Sequence, residues 1–328
     1  MSASASKPPR PAAGSWQAAG QQSASPASPA RRLRACERVL ELGQRPWLMG
    51  IVNASPESFS DGGRDLTLDG QTRMARELLA AGADILDIGG ESARTDRDAL
   101  AAEQEMERVL PLVERCAGEL GALVSVDTYK PAVASAAIAA GARIVNDVSG
   151  LREAGMAELC ARTGAALVVM HTLAPPHQRL QQADLYDDIV VEVEAFLRER
   201  IALALDAGVQ REQLIVDPGP DFAKTPAQTV VLLAQIARLH ELERPLLMAI
   251  SRKDFIGALT VRPPRERLAG TLAALAHGLD AGAHIFRLHD VSAAADFMRV
   301  RAALRGAHAP PADLALPEAL RYDRLTSR

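Results

Sequence analysis

The sequence predicts an α/β fold: a single-domain, closed (β/α)8 TIM barrel. Two observations carry this. Eight short apolar runs alternate with helical stretches, and Gly repeatedly stands where a helix stops, at Ala81-Gly82-Ala83, Ala140-Gly141-Ala142, Thr163-Gly164-Ala165, Ala207-Gly208 and Ala281-Gly282-Ala283. The runs are 48–52, 85–88, 123–126, 143–145, 166–170, 214–216, 246–250 and 284–286. Strands alternating with helices imply a parallel sheet, and eight units in about 260 residues close it into a barrel. A doubly wound open sheet is the alternative, but no Gly-x-Gly-x-x-Gly fingerprint opens the first helix.

Residues 1–40 are expected to be a disordered extension, 41–305 the barrel and 306–328 a surface tail. The first 30 residues are rich in Ala, Ser, Pro, Gly and Gln and have no apolar core of a secretory signal. No window approaches the length of a membrane span. A net charge of −4 argues against a general nucleic-acid binder. Cys36, Cys116 and Cys160 are an odd number at unpatterned spacings, which suits reduced cysteines in a cytoplasmic protein. Lysines stand only at 7, 130, 224 and 253, so each internal one invites a question.

The first strand ends on Asn53, and a polar run to Gly63 follows it, longer than the connection requires. In a barrel of this kind the ligand site lies at the C-terminal strand ends. Those ends read Asn53; Asp87 with 89–92; Asp127-Thr128; Asn146-Asp147; His171; Asp217-Pro218-Gly219; Ser251-Arg252-Lys253; and Arg287 with His289-Asp290. Each alone suits a cap or a turn, whereas eight together on one rim suggest a site. Asp127, Asn146, Asp217 and Lys253 suit a flat heterocycle with amino and ring N–H donors, between apolar walls from Ile51, Val148 and Met170. Asn53, Arg94, Arg287 and His289 suit phosphate oxygens. The residues alone leave open an ion pair between Arg287 and Asp290 or a neighbour, and a helix cap at His289.

These segments resemble dihydropteroate synthase over about residues 46–300. The likeness rests on Met49-Gly50-Ile51-Val52-Asn53 with Ser55-Pro56 and Ser58-Phe59-Ser60-Asp61-Gly62-Gly63, then Asp87-Ile88-Gly89-Gly90-Glu91-Ser92 and Ser125-Val126-Asp127-Thr128. It continues through Asn146-Asp147-Val148, Met170-His171, Asp217-Pro218-Gly219, Ser251-Arg252-Lys253 and Arg287-Leu288-His289-Asp290. The resemblance implies an enzyme that joins a dihydropterin pyrophosphate to 4-aminobenzoate. It implies that Asp127, Asn146, Asp217 and Lys253 hold the pterin between Ile51, Val148 and Met170. Asn53 would ligate Mg²⁺ and, with Arg287 and His289, hold the pyrophosphate. Arg94 would close over it, and Phe222 would pack on the aminobenzoate ring. Asp127, Asp217, Lys253 and Arg287 would carry the catalysis. Loops at about 54–66 and 91–99 would order with substrate. A homodimer and sulfonamide sensitivity are further implications.

The sequence also departs from the family pattern. Ala54-Ser55-Pro56-Glu57 stands for Val-Thr-Pro-Asp, and Ser92-Ala93-Arg94-Thr95-Asp96 for Ser-Thr-Arg-Pro-Gly. Asp221-Phe222-Ala223-Lys224 stands for Gly-Phe-Gly-Lys, which puts side chains where the loop expects none. Ala249 replaces a Gly under the pterin, and 172–176 diverge. Asp254 opens a helix near where the family seats the benzoate carboxylate; it reads as an N-cap, or else as a charge facing the substrate. A divergent paralogue that uses another amine or is weakly active is one alternative. A methyltetrahydrofolate-binding methyltransferase and a non-catalytic pterin-binding protein are the others.

Overall fold

The computed structural model describes residues 29, 31–54, 67–91, 99–307 and 309–321. An antiparallel hairpin comes first, β1 (Arg31–Ala35) with β2 (Arg38–Leu42). Eight parallel strands follow. They are β3 (Trp47–Asn53), β4 (Ile85–Gly89), β5 (Leu123–Asp127), β6 (Ile144–Asp147), β7 (Ala166–Met170), β8 (Leu214–Asp217), β9 (Leu247–Ala249) and β10 (Ile285–Leu288). They lie in the order β8-β7-β6-β5-β4-β3-β10-β9, and a parallel bridge between Val216 and Leu246 joins the two ends into a barrel. All eight expected strands are present.

The connecting helices are α1 (Leu68–Ala80), α2 (Ala102–Glu114), α3 (Pro131–Ala139), α4 (Met156–Thr163), α5 (Ile189–Asp206) and α6 (Pro226–Ala234). After β9 there are two, α7 (Asp254–Thr260) and α8 (Leu268–Asp280), and α9 (Val291–Leu304) follows β10. The five Gly positions expected to end helices all have left-handed φ. Caps start the helices where the sequence offers them: Thr67 accepts from Gly70 N–H, and Asp188 from Val190 and Val191.

The barrel lies in a compact unit that ends at Ala295. Beyond it the described residues comprise the rest of α9 and a short turn, Glu318–Leu320, with 309–320 exposed. The expectation of a disordered segment over 1–28 falls outside the described residues. Its boundary at residue 40 is corrected, because 31–42 are an ordered part of the barrel unit. Leu33, Ala35 and Leu42 alternate along the hairpin and are buried with Met49, Ile85, Leu123, Ile144, Ile215 and Ile285 at the N-terminal end of the barrel. The hairpin turn is tied down by Cys36 N–H, which donates to Gly164 O at 2.6 Å. Arg-rich composition hid this period-two pattern, since Arg32 and Arg34 occupy the other face.

Leu33→Ala should therefore open a cavity in the barrel floor and lower unfolding free energy by about 2–5 kcal/mol, read from urea denaturation. An unchanged midpoint would show that the hairpin contributes nothing to the core.

Candidate active site

Strand residues two apart face the same side, so each inward position follows from the one below it. The apolar floor continues one step up as Ile51, Asp87, Ser125, Asn146, Asp217 and Arg287. Another step brings Asn53 on β3, Asp127 on β5 and Met170 on β7. The polar side chains thus gather above a dry base. The expectation that every polar strand end lines this rim needs two corrections. Asp147 has the opposite parity; it is fully buried, and its Oδ1 accepts from Ser149 N–H at 2.7 Å. His171 likewise turns away, with its ring edge-on to Phe196 of α5 at 4.7 Å between centroids.

Arg287 is held from two sides. Its Nε donates to Asp87 Oδ2 at 2.6 Å and its Nη2 to Asp127 Oδ2 at 2.5 Å. Asn146 Nδ2 donates to the same Asp87 oxygen at 3.2 Å. Burial alone would lower the Arg287 guanidinium, but the carboxylates of Asp87 and Asp127 overcome it and hold it above its ordinary value. Burial raises Asp127 to about 7 against the opposing pull of Arg287. The ion pair open at Arg287 is therefore real, but its partners are Asp87 and Asp127. Asp290 is taken instead by Arg252, at 2.8 and 3.0 Å.

Asp217 ends β8. Its Oδ1 accepts from Gly219 N–H at 2.7 Å, and burial raises the carboxyl to about 6, with Gly219 N–H and Lys253 opposing. Gly219 has φ 63°, and a Cβ there would collide with the His171 carbonyl, so this turn requires glycine. Lys253 sits half-buried with Nζ 4.3 Å from the Phe222 ring centroid. Burial lowers this ammonium, opposed by Asp221 and Asp217. Beside them, Ser251 Oγ accepts from His289 N–H at 3.1 Å and lies 2.9 Å from His289 Nδ1. That contact admits the tautomer with Nε2–H turned to an anion.

The other internal lysines are structural. Lys130 Nζ pairs with Glu91 at 2.7 Å and Glu105 at 2.6 Å behind the strand ends. Lys224 is fully buried; its Nζ donates to Gly219 O and Phe222 O, each at 2.9 Å, and lies 2.7 Å from His171 Nδ1. Burial pulls both Lys224 and His171 well below their ordinary values. Lys224 thus ties the β8 loop that carries Phe222 to the end of β7.

Ile51, Met170 and Asn146 are buried, and Val148 is half-buried just beyond β6. Asn53 is half-buried at the end of β3. Arg94 and nearly all of both loops expected to order with substrate lie outside the described residues, as do Ala93 and Thr95. Asp87 is fully buried and anchors Arg287, and its inward parity from Ile85 is the sequence signal that marks it.

The pterin binding enzyme family matches residues 49–289. The chain belongs to that family. Within it, the dihydropteroate synthase of Escherichia coli K12 is 41% identical over 255 residues, covering 78% of this chain and 90% of the relative. That of Synechocystis is 38% identical over 270 residues, covering 82% and 93%. The solved Xanthomonas albilineans dihydropteroate synthase with 4-aminobenzoic acid superposes with a TM-score of 0.77 at 43% identity, covering 84% of this chain and 98% of that one. The Yersinia pestis enzyme in a sulfonamide drug complex gives 0.79 at 38% identity, covering 84% and 99%.

Where the family resemblance expects Gly-Phe-Gly-Lys, Asp221 and Ala223 both adopt left-handed φ, 67° and 50°. Such φ costs a non-glycine residue about 1–2 kcal/mol. Asp221 offsets this with hydrogen bonds: its Oδ2 accepts from Asp254 N–H at 2.5 Å, and its Oδ1 accepts from the Thr229 hydroxyl at 3.1 Å. Asp254 is thus not the N-cap of α7. It is the first helical residue, and its Oδ1 pairs with Arg267 Nη1 at 3.0 Å.

The raised Asp217 carboxyl sets a pH dependence. Raised from 3.8 to about 6, it contributes stability that is whole below about pH 4 and is lost as pH rises through about 6. Asp217→Asn lacks this component, so wild-type stability minus variant stability should fall from pH 4 to 7 in urea titrations. A constant gap would contradict the raised value.

Proposed function

We infer that this chain condenses 6-hydroxymethyl-7,8-dihydropterin pyrophosphate with 4-aminobenzoate to give 7,8-dihydropteroate and pyrophosphate. The carrying observation is the inward layer of Asp87, Asn146, Asp217 and Arg287, with Asp127 above it, on a sealed apolar base in a chain of the pterin-binding family. The Xanthomonas albilineans enzyme is also known in complex with 7,8-dihydropteroate, at 42% identity and a TM-score of 0.74.

Asp217, Asn146 and Asp127 suit the amino and ring N–H edge of a reduced pterin, with Lys253 beside them and Ile51, Val148 and Met170 as walls. Arg287, oriented by Asp87, faces the leaving group together with His289 and Asn53. The exocyclic C–O bond breaks with its electron pair going to pyrophosphate. Electron donation from the reduced ring stabilises the resulting methylene cation, as do the carboxylates of Asp127 and Asp217. The aryl amine then forms the C–N bond and releases a proton. Cleavage ahead of attack makes positioning by Phe222 more important than a strong general base.

Magnesium fits this donor set. Mg²⁺ carried by substrate phosphates needs only one or two protein oxygens, and Asn53 brings an amide oxygen to the end of β3. Among the described residues no group of three or more His, Cys, Asp or Glu side chains is placed to hold a metal ion by itself. Mg²⁺ would neutralise pyrophosphate charge as the bond breaks.

No helix among the described residues is long and apolar enough to cross a membrane. A cytoplasmic location fits the free cysteines, and a sulfonamide is a natural competitor for the aryl amine. The exposed Leu259, Val261 and Leu268 around α7 and α8 suit the face of a homodimer. Light scattering of wild type should give a dimer mass, and Val261→Asp with Leu259→Asp should give a monomer; a monomeric wild type removes this reading.

Wild type should release pyrophosphate when given both substrates and should complement a strain lacking the synthase. Lys253→Ala should lower kcat/KM by about 100-fold or more. No pyrophosphate from wild type would overturn the assignment, and a near-normal Lys253→Ala would remove that residue from the site.

A further inference from the structure

The ladder between β9 and β10 ends at the pair Ala249 and Arg287. Lys253 and His289, the groups assigned above to the two ends of the pterin substrate, stand beyond it. Side chains carry the pairing onward. Ser251 Oγ accepts from His289 N–H at 3.1 Å. One position further, the Arg252 guanidinium forks onto Asp290, with Nε donating to Oδ2 at 3.0 Å and Nη2 to Oδ1 at 2.8 Å. Both side chains are half-buried, and a two-bond fork of this kind fixes direction as well as distance.

The backbone of Arg252 is held as firmly as its side chain. Its φ of 57° is left-handed, a conformation that disfavours any residue with a Cβ. Its N–H donates to Oγ1 of Thr271, buried on α8, at 3.0 Å. Arg267 Nη1 donates to Arg252 O at 2.9 Å and to Lys253 O at 3.1 Å. Strain of this kind persists only where the surroundings over-determine it. The reversed turn sends two neighbouring cations opposite ways: Arg252 reaches the turn after β10, and Lys253 reaches the Phe222 ring in the β8 loop. Three residues thus bridge the pterin side of the mouth to the diphosphate side.

We propose that Arg252 and Asp290 are positioning residues for this reaction, their fork fixing the separation of Lys253 from His289 so that the scissile C–O bond is held from both ends. This deepens the reading given under Proposed function and rests on it. Neither residue is asked to touch substrate; each acts through its neighbour in the chain. A displacement of about 1 Å in reacting groups costs on the order of 100-fold in rate, so the loss falls on turnover and not on retention of the pterin.

Arg252→Gln, Asp290→Asn and the double variant separate a strut from a charge. Turnover is read as pyrophosphate release with 4-aminobenzoate, and binding by calorimetry with 6-hydroxymethyl-7,8-dihydropterin, which lacks the diphosphate. Each single variant should lose about tenfold or more in kcat, while Kd for the bare pterin stays within about twofold. The double variant should fall no more than about twofold below the poorer single, since the second change finds the fork already broken. Arg252→Lys keeps the charge without the fork and should lose kcat as well. Opposite shifts of kcat on removing the cation and the anion would show a field effect and overturn the proposal. So would losses that multiply in the double variant, bare-pterin Kd weakening in step with kcat, or kcat within about twofold of wild type in both singles. If Arg252→Gln does not fold, an unmoved kcat in Asp290→Asn has the same force. Any of these beside an active wild type leaves the synthase reading standing; a wild type that releases no pyrophosphate overturns both.

Discussion

Buried charge is what the interior of this barrel has to manage, and a single guanidinium manages most of it. Arg287 lies between Asp87 and Asp127, and Asn146 ties Asp87 from the neighbouring side. A buried ion left alone costs several kcal/mol, so removing any one of these groups strands the others. The surroundings hold three inward carboxylates, Asp87, Asp127 and Asp217, against two cations, Arg287 and Lys253. Carboxylates so placed suit the cation proposed to form on a pterin methylene. The network therefore orders the floor and sets the sign of the field above it.

The loop after β8 shows the same economy of means. Gly219 bends it against the end of β7, Lys224 fastens it from beneath through three acceptors, and Asp221 fastens it from above through the first turn of α7. Phe222 is fixed between those two ties. A loop bound at both ends can tolerate two non-glycine residues in left-handed conformation, because the bonds that hold it exceed the cost of about 1–2 kcal/mol for each.

Most of the barrel was legible because Gly ends the helices and apolar runs mark the strands. The rim was legible only in part. Residues near strand ends were counted without their parity, so Asp147 and His171 were placed with Asp217 and Asn146 although their side chains face away from the axis. Parity from the floor upward would also have promoted Asp87. The hairpin was missed because a half-buried strand with Arg on its outer face resembles a solvated linker in composition. Asp254 looked like a cap because Asp commonly is one; that a residue 33 positions earlier supplies the acceptor is a tertiary fact no local window contains. The magnesium ligation proposed for Asn53 rests on family likeness and not on the residue pattern.

The hairpin under the barrel has an electrical consequence. Leu33, Ala35 and Leu42 pack against the apolar residues at the lower end of the barrel, so the polar tier rests on side chains there and not on bulk solvent. Low polarisability beneath Arg287 keeps its attraction to Asp87 from being dissipated, as Coulomb energies there scale inversely with a far smaller effective dielectric than bulk solvent. The hairpin is thus an insulator, and a segment remote from any substrate governs how strongly the catalytic end feels its own charges.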